Sequence, residues 1–418
     1  MKKNFENILV NELKPGVGCT EPAAIAFAAA SLKKYLKDEI KECSLIVNPM
    51  LYKNAKYVLI PNTKYYGLEY ALALGFNINK ETLDLEIFKD LKNETLDKAI
   101  EFINNKKMDI KTNTINTLFI EIKAITKSEE AMIRIEQKHT HISKIEINGE
   151  IIFEKEIKAN EEDVLNSMKN TSLKEIIEFA ETVDKKLFYN IEAGIKMNKI
   201  VSEAGLINET AFNLGKGYKK LIDNKMICDD LVNEVKMKIA GACDCRMGGL
   251  NFPVMTAIGS GNQGIGIILP SVFVAEKLEI DKERMNRAII ISLLVTAYVK
   301  SHTGRLSPIC GNTIIGIANA VSIAWMLEGN YSQMVNAANN VIANITGVIC
   351  DGAKGGCSLK IADGAGTGVM SALLSINDTC VDSNDGILSD DFETTILNFS
   401  KINTDGMSNM NAAIIEKM

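Results

Sequence analysis

The chain has 418 residues, of which 46% are hydrophobic, and a formal net charge of −6. This length and apolar content suffice for a large core and predict two or three domains. The negative balance argues against a nucleic-acid partner, because contacts to a phosphate backbone need clustered Lys and Arg.

The start of the chain, MKKNFENILVNELK, is charged and has no apolar run of the length found in a secretory signal. Two stretches with little charge, residues 247–275 and 306–327, are long enough to span a bilayer. Both contain Pro, Asn and Ser, and we expect buried helices and Gly-rich loops there rather than membrane spans. We therefore expect a soluble, cytoplasmic protein without a membrane partner.

The first 42 residues predict a helix, a Gly/Pro break and a second helix that begins near Thr20. Short β-rich runs then flank the breaker NPM, and helical patterns follow in YYGLEYALALG and in ETLDLEIFKDLKNETLDKAIEFI. Four strand-like runs come next: NTLFIEIKAI, EAMIRIEQ, HISKIEING and EIIFEKEI. In the first of these, Ile120 and Ile122 alternate with charged residues, which is the pattern of a half-buried strand.

From Ser172 onward nearly every segment predicts helix, and the later helices are apolar over most of their surface. We therefore predict an α+β fold. Residues 1–43 and 166–418 would form a mainly helical catalytic domain, and residues 44–165 a smaller α+β domain inserted near the N-terminus. The apolar late helices suit either a buried core or a homodimer interface.

Cys19 lies in PGVGCTEPAAIAFAAASLKKYL, just ahead of an alanine-rich helix. We expect Thr20 to be the N-cap of that helix and Pro22 to lie in its first turn. The thiol would then face the positive end of the helix, which lowers a thiol pKa and favours the thiolate. A buried thiol that only packs at a helix start explains this stretch equally well.

The chain has nine cysteines, an odd number in a long chain without a secretion signal, which argues against a disulfide framework. Cys43, Cys228 and Cys380 lack a Gly-rich context and are expected to be structural. Cys243 and Cys245, in GACDC, are a possible ligand pair, but a single intervening residue is cramped for a standard zinc site.

The remaining three cysteines lie in glycine-rich segments: Cys310 in SPICGN, and Cys350 and Cys357 in ICDGAKGGCSLK. Three thiolates from two loops could hold three irons of a [4Fe–4S] cluster and leave the fourth open as a Lewis acid. On spacing alone, three buried thiols without a metal are the simpler interpretation.

The loop GSGNQG, residues 259–264, offers backbone N–H groups and the side chain of Asn262, which suit a small anion such as an amino-acid carboxylate. A tight helix–helix connection is the alternative, and the loop matches neither a dinucleotide-binding nor a Walker motif.

Among the three histidines, His139 is the candidate for a contact with substrate, although a metal pair with His141 is conceivable. His302 lies in SHTGRLSPIC together with Arg305. A buried Arg305 would suit a substrate carboxylate, and solvated loop residues are the alternative.

Six motifs occur in order along the chain: GCTEPAAIAFA, NPMLYKNA, HTHI, GSGNQG, GRLSPICGN and ICDGAKGGCSLK. Their combination resembles the L-cysteine desulfidase family, which is related to the iron–sulfur-dependent L-serine dehydratases of bacteria. The resemblance runs from about residue 7 to about residue 415.

This resemblance implies a PLP-independent lyase that converts L-cysteine and water to pyruvate, ammonia and hydrogen sulfide with an oxygen-sensitive [4Fe–4S] cluster. It implies that Cys310, Cys350 and Cys357 bind the cluster, with the substrate thiolate on the open iron, and that Cys19 removes the Cα proton. The His-Thr motif of the family usually continues with Asn, where this chain has His141, so a role for position 141 stays open.

An amino-acid substrate also needs groups that place its carboxylate and amine. The candidates are Lys53, Asn54, His139, Ser260, Asn262 and Arg305. L-Serine dehydratase by the same chemistry is the alternative activity, and a non-catalytic metal-binding or redox-sensing protein is the alternative of another class. A PLP enzyme is disfavoured, because we find no convincing Schiff-base lysine with a phosphate loop.

Overall fold

The computed structural model describes residues 2–79, 85–89, 91–115, 117–155 and 164–418. The helices in these ranges are α1 Lys2–Asn11, α2 Thr20–Lys33, α3 Pro49–Ala55, α4 Gly67–Asn77, α5 Asn93–Asn105, α6 Leu173–Thr182, α7 Tyr189–Ile207, α8 Leu214–Asp223, α9 Leu231–Met247, α10 Gly261–Lys277, α11 Lys282–Thr303, α12 Gly311–Met326, α13 Tyr331–Ile345, α14 Cys357–Ile376, α15 Phe392–Lys401 and α16 Met410–Glu416. The strands are β1 Leu13–Gly16, β2 Glu42–Val47, β3 Lys107–Thr112, β4 Phe119–Ile125, β5 Glu130–Glu136, β6 Ile142–Ile147, β7 Glu150–Glu154 and β8 Val254–Ala257. A π-helix spans Ile402–Gly406.

Six strands form one sheet in the order β3-β2-β4-β5-β6-β7, in which β2 and β3 are parallel and the other neighbours are antiparallel. The four strands predicted from alternation are confirmed as β4 to β7. In β5, Ile133 and Ile135 are fully buried and alternate with the partly exposed Arg134. The sequence does not predict β3, because this edge strand pairs only with β2 and is mostly polar.

The segment around NPM differs from its prediction. The run before it forms β2, but Pro49 begins α3, as expected for a proline at the first position of a helix. The run KYVLIP after it forms only an isolated bridge between Leu59 and Tyr66. The helical part of ETLDLEIFKDLKNETLDKAIEFI is α5, and residues 81–84 and 90 of that run lie outside the described residues.

Two apolar cores hold the chain together. The larger core is built from α1 and the helices after residue 164, with α11 and α12 buried along nearly their whole length. The smaller core lies between the six-stranded sheet and α2, α4 and α5. The predicted α+β class, mainly helical with a smaller sheet-containing region near the N-terminus, is confirmed. The proposed boundaries at 43/44 and 165/166 stay a prediction, and α2 packs in the sheet core.

Strand β1 pairs with β8 in a separate two-stranded sheet, from Leu13 opposite Ala257 to Gly16 opposite Val254. This pairing fixes the segment that leads to Cys19 beside the segment that leads to the GSGNQG loop. In the part of the chain that the structure describes, no helix is long and apolar enough to cross a membrane.

Candidate active site

The two loops that carry the late cysteines are joined by backbone hydrogen bonds. The N–H of Cys310 donates to the carbonyl of Val348 at 2.8 Å, and the N–H of Cys350 donates to the carbonyl of Pro308 at 2.7 Å. The Cys310 thiol donates a hydrogen bond to Cys350, which lowers the pKa of Cys350 to about 5 and raises the pKa of Cys310. Cys357 lies within electrostatic range of both, since its charge acts on Cys310 and the charge of Cys350 acts on it. The three predicted cluster ligands are therefore brought together.

Cysteines at helix starts meet in this region. Cys310 is the N-cap of α12, Cys357 is the first residue of α14, and Cys19 is the N-cap of α2. The prediction that Thr20 caps α2 is wrong by one residue, because Cys19 itself has the extended backbone of an N-cap. The positive ends of three helices thus face the sulfur atoms, which favours negative charge there.

The donor set fits an iron–sulfur cluster better than a single metal ion. Within the described ranges, no three side chains of His, Cys, Asp and Glu are arranged to hold one ion. The cysteines of a cluster bind different irons, so their sulfurs need not converge on one point. Lys53, Lys300 and Lys360 all lie within electrostatic range of the Cys310 and Cys350 thiols. The positive charges of these lysines would stabilise a cluster held by three thiolates.

Cys19 is 5% exposed, and its Sγ lies 3.9 Å from Sδ of Met247. The pKa of the Cys19 thiol is raised to about 11, mainly by burial. The guanidinium of Arg246 lowers this pKa, but by less than burial raises it. The negative charges of Glu21 and Cys357 raise the pKa further. The predicted lowering of this pKa by the helix end is therefore wrong for the free protein, because loss of hydration outweighs the favourable charges.

Lys53, on α3, stabilises the loop that contains Cys350. Its side chain is fully buried, and Nζ donates to the carbonyl of Cys350 and to Oδ1 of Asn411, each at 2.7 Å. The backbone of Gly352 packs on Lys53 with φ +94°, and an added Cβ there would lie 2.3 Å from the Lys53 carbonyl oxygen. The Lys53 amine is thus engaged with the protein.

We expect Gly352→Ala to destabilise the protein more than Gly149→Ala. Both glycines have a left-handed φ, which costs an alanine about 1–2 kcal/mol, but a Cβ at Gly149 meets nothing within 4 Å. The contact with Lys53 should add about 1–3 kcal/mol for Gly352→Ala. Urea unfolding of both variants measures the difference, and equal losses would contradict the close packing of Gly352 on Lys53.

Asn54 and His139 meet at Glu21, in the first turn of α2. Nδ2 of Asn54 donates to Oε1 of Glu21 at 3.2 Å. Burial lowers the pKa of His139, Glu21 opposes that shift, and Arg305 adds to it. The hairpin between β5 and β6 thus brings a neutral imidazole to the start of α2. The neighbouring His141 contacts the Glu136 carbonyl, with Nδ1 at 3.2 Å, within the same hairpin.

Ser260 and Asn262 lie at the start of α10. Ser260 is the N-cap, and its side chain accepts from the N–H of Gln263. Asn262 is buried, and its Oδ1 accepts a hydrogen bond of 2.9 Å from Arg246. The Asn262 side chain thus connects the GSGNQG loop to the surroundings of Cys19.

Of the two alternatives for Arg305, a buried residue and a solvated loop residue, the structure favours the second. Its side chain is 38% exposed, and both terminal nitrogens donate to the carboxylate of Glu12, at 2.9 and 3.0 Å. His302 is half-buried with its ring edge against Tyr298, at 5.0 Å between centroids, and Lys169 is the charged group that acts on it.

Arg246, Glu21 and Lys300 are functional candidates that sequence reasoning missed. Lys300 is buried, with a pKa lowered by burial to about 8, and it donates to the Arg305 carbonyl at 3.0 Å. A lysine within the apolar run TAYVKSHT was the available signal for it. Arg246 follows directly after Cys243 and Cys245, which are buried thiols of α9.

Known proteins resemble this chain over most of its length. The profile of the family described as serine dehydratase alpha chain matches residues 85–416. A UPF0597 protein of Clostridium botulinum (strain Okra / Type B1) is 39% identical over 403 residues, 96% of this chain and 93% of the relative. UPF0597 proteins of Clostridium tetani and Clostridioides difficile are each 36% identical, covering 98% of this chain and 97% and 98% of the relatives. The chain therefore belongs to the serine dehydratase alpha chain family, a family of iron–sulfur-dependent lyases.

Proposed function

We propose that the protein is an L-cysteine desulfidase that converts L-cysteine and water to pyruvate, ammonia and hydrogen sulfide with a [4Fe–4S] cluster. The observation that carries the proposal is the proximity of Cys350 to Cys310 and Cys357, which lie at helix starts, together with a further cysteine at a helix start, Cys19, within electrostatic range of Cys357. The choice of L-cysteine as substrate rests on the resemblance of the six sequence motifs to the L-cysteine desulfidase family.

In this proposal the side chains of Cys310, Cys350 and Cys357 hold the cluster. When bound, the cluster supplies an open iron that acts as a Lewis acid toward the leaving group of the substrate. Lys53 and Lys360 keep the ligand loop in place, since they donate to the carbonyls of Cys350 and Ile349 at 2.7 and 2.9 Å.

Cys19 is the proposed base. Its thiolate takes the Cα proton, the electron pair of the Cα–H bond forms a Cα=Cβ double bond, and the Cβ–S bond breaks with its electron pair on the sulfur. The sulfur leaves as sulfide and is protonated to hydrogen sulfide. The resulting aminoacrylate tautomerises to an imine, which water hydrolyses to pyruvate and ammonia. The near-complete burial of Cys19 excludes water from the proton transfer and strengthens the charges around it.

The groups around Glu21 are suited to the amino group of the substrate. Glu21 supplies a carboxylate within electrostatic range of Cys19, and Asn54 fixes that carboxylate with a hydrogen bond. His139, neutral because burial lowers its pKa, adds no competing positive charge. An ammonium group bound there would place Cα close to the base.

Two assays test the proposal. Pyruvate release from L-cysteine and from L-serine is compared on anaerobically reconstituted enzyme, with sulfide measured in parallel. We expect equal amounts of pyruvate and sulfide from L-cysteine. Faster turnover of L-serine would instead assign the protein as an L-serine dehydratase, the activity that the family description favours. Absence of both iron and acid-labile sulfide from anaerobically purified protein would support a non-catalytic role.

The rate should rise with pH if Cys19 is the base. A thiol whose pKa is raised to about 11 is neutral at pH 7, and its thiolate fraction grows about tenfold per pH unit. We expect kcat/KM for L-cysteine to continue rising above about pH 9.5, where the free substrate thiol is about nine-tenths ionised. A plateau that begins near neutral pH would show that Cys19 is already a thiolate there.

A further inference from the structure

Arg246 is a buried cation without a carboxylate partner. Arg246 is 7% exposed, and within the described part of the chain its side chain forms no ion pair. Its terminal nitrogens donate to Oδ1 of Asn262 at 2.9 Å, the carbonyl of Gly18 at 2.8 Å and Sδ of Met247 at 3.3 Å. The side chain also forms a hydrogen bond with the thiol of Cys19. Nε has no partner.

The other arginines of the chain show how unusual this environment is. Arg134, Arg287 and Arg305 each bind a carboxylate, and each of those pairs has a partly exposed member. Arg284 donates to the carbonyls of Met326 and Trp325 instead, but its side chain is partly exposed. A buried charge costs free energy unless an opposite charge compensates it. Among the described residues no carboxylate compensates this charge, and the Cys19 thiol beside it is neutral while it stays protonated. The Arg246 guanidinium is therefore suited to receive an anion.

The position of Arg246 indicates which anion fits. Its contact with Gly18 places it beside Cys19, and its contact with Asn262 places it at the start of α10, where first-turn N–H groups also favour negative charge. On Cys19 the guanidinium of Arg246 and the carboxylate of Glu21 act with opposite sign. A cation and an anion around one base match the two charged groups of a zwitterionic amino acid.

We propose that Arg246 binds the α-carboxylate of the substrate and makes the site specific for α-amino acids. This inference rests on the proposed function, since it assumes that Cys19 acts at Cα. The planar guanidinium can donate two parallel hydrogen bonds to a carboxylate, which would hold Cα in place for the base. Arg305 does not fill this role, because both of its terminal nitrogens already donate to the carboxylate of Glu12.

Two substrate fragments test the proposal on anaerobically reconstituted enzyme by isothermal titration calorimetry. 3-Mercaptopropionate has the thiol and the carboxylate of cysteine, and cysteamine has the thiol and the amine. We expect Arg246→Met to weaken 3-mercaptopropionate about 10- to 150-fold, the loss of a charged hydrogen bond, and to leave cysteamine unchanged. Arg246→Lys keeps the positive charge but cannot donate two parallel hydrogen bonds, so its affinity for 3-mercaptopropionate should fall less. Arg134→Met, on the sheet, is the control and should bind both fragments as the wild type does.

Unchanged affinity of Arg246→Met for 3-mercaptopropionate would overturn the proposal, and so would an equal loss for both fragments. If Arg246→Met fails to fold, wild-type affinity of Arg246→Lys for 3-mercaptopropionate overturns it as well. If 3-mercaptopropionate affinity is kept but alkylation of Cys19 by iodoacetamide slows, the guanidinium serves the thiolate instead. A wild-type protein that releases no pyruvate from cysteine or serine, but binds 3-mercaptopropionate through Arg246, would contradict only the proposed function.

Discussion

Cys19→Ala is expected to keep its iron and acid-labile sulfide and to lose turnover of L-cysteine by about 10²- to 10⁴-fold, the usual contribution of a general base. The reason is that Cys19 lies at the start of α2, on a separate segment from the two loops that carry the proposed ligands. Steady-state pyruvate release and iron analysis on the same preparation measure both properties.

Cys43→Ala is the matched control for Cys19→Ala. Both thiols are 5% exposed, but Cys43 lies on β2 in the sheet core, where burial is the cause of its raised pKa. This variant should keep both turnover and iron. Loss of iron from Cys19→Ala would show that Cys19 is a fourth ligand and would contradict its assignment as the base.

Cys357→Ala should lose the cluster itself, so that iron falls from about four atoms per chain toward zero and turnover disappears with it. Cys357 begins α14, and two ligands from the joined loops of Cys310 and Cys350 would remain, too few to hold the centre. Iron and acid-labile sulfide analysis after anaerobic purification measures the loss.

Cys243→Ala is the control for the ligand assignment. Cys243 is a fully buried thiol of α9 within electrostatic range of Cys357, and burial raises its pKa. It should keep its iron. If Cys243→Ala loses the cluster and Cys357→Ala keeps it, the ligand set proposed from the Gly-rich loops is wrong.

The parts of the site that could be predicted are those with a local signal. Cysteines next to glycines at helix starts mark Cys19, Cys310 and Cys357, and the strands of the hairpin that carries His139 follow from period-two alternation. Each of these features is set by a few neighbouring residues, so it can be recognised from the sequence alone.

The remaining parts depend on tertiary packing. Arg246 is an ordinary charged residue in the sequence and is far from Cys19 along the chain, and the packing that pairs β1 with β8 brings the two together. Glu21 is a sequence neighbour of Cys19, but its partner Asn54 reaches it only through the docking of α3. The same is true of the pKa of Cys19, because its direction is decided by burial and not by the helix end. The Glu12 partner of Arg305 is likewise distant in sequence.

The most direct test of the central claim is Mössbauer spectroscopy of protein anaerobically reconstituted with ⁵⁷Fe, recorded before and after addition of L-cysteine. Three cysteine ligands leave one iron of a [4Fe–4S] cluster open, so we expect the signal of one iron in four to shift on addition of substrate, and to shift also in Cys19→Ala. Four equivalent irons that do not respond to L-cysteine, or a protein that binds no cluster, would contradict the account.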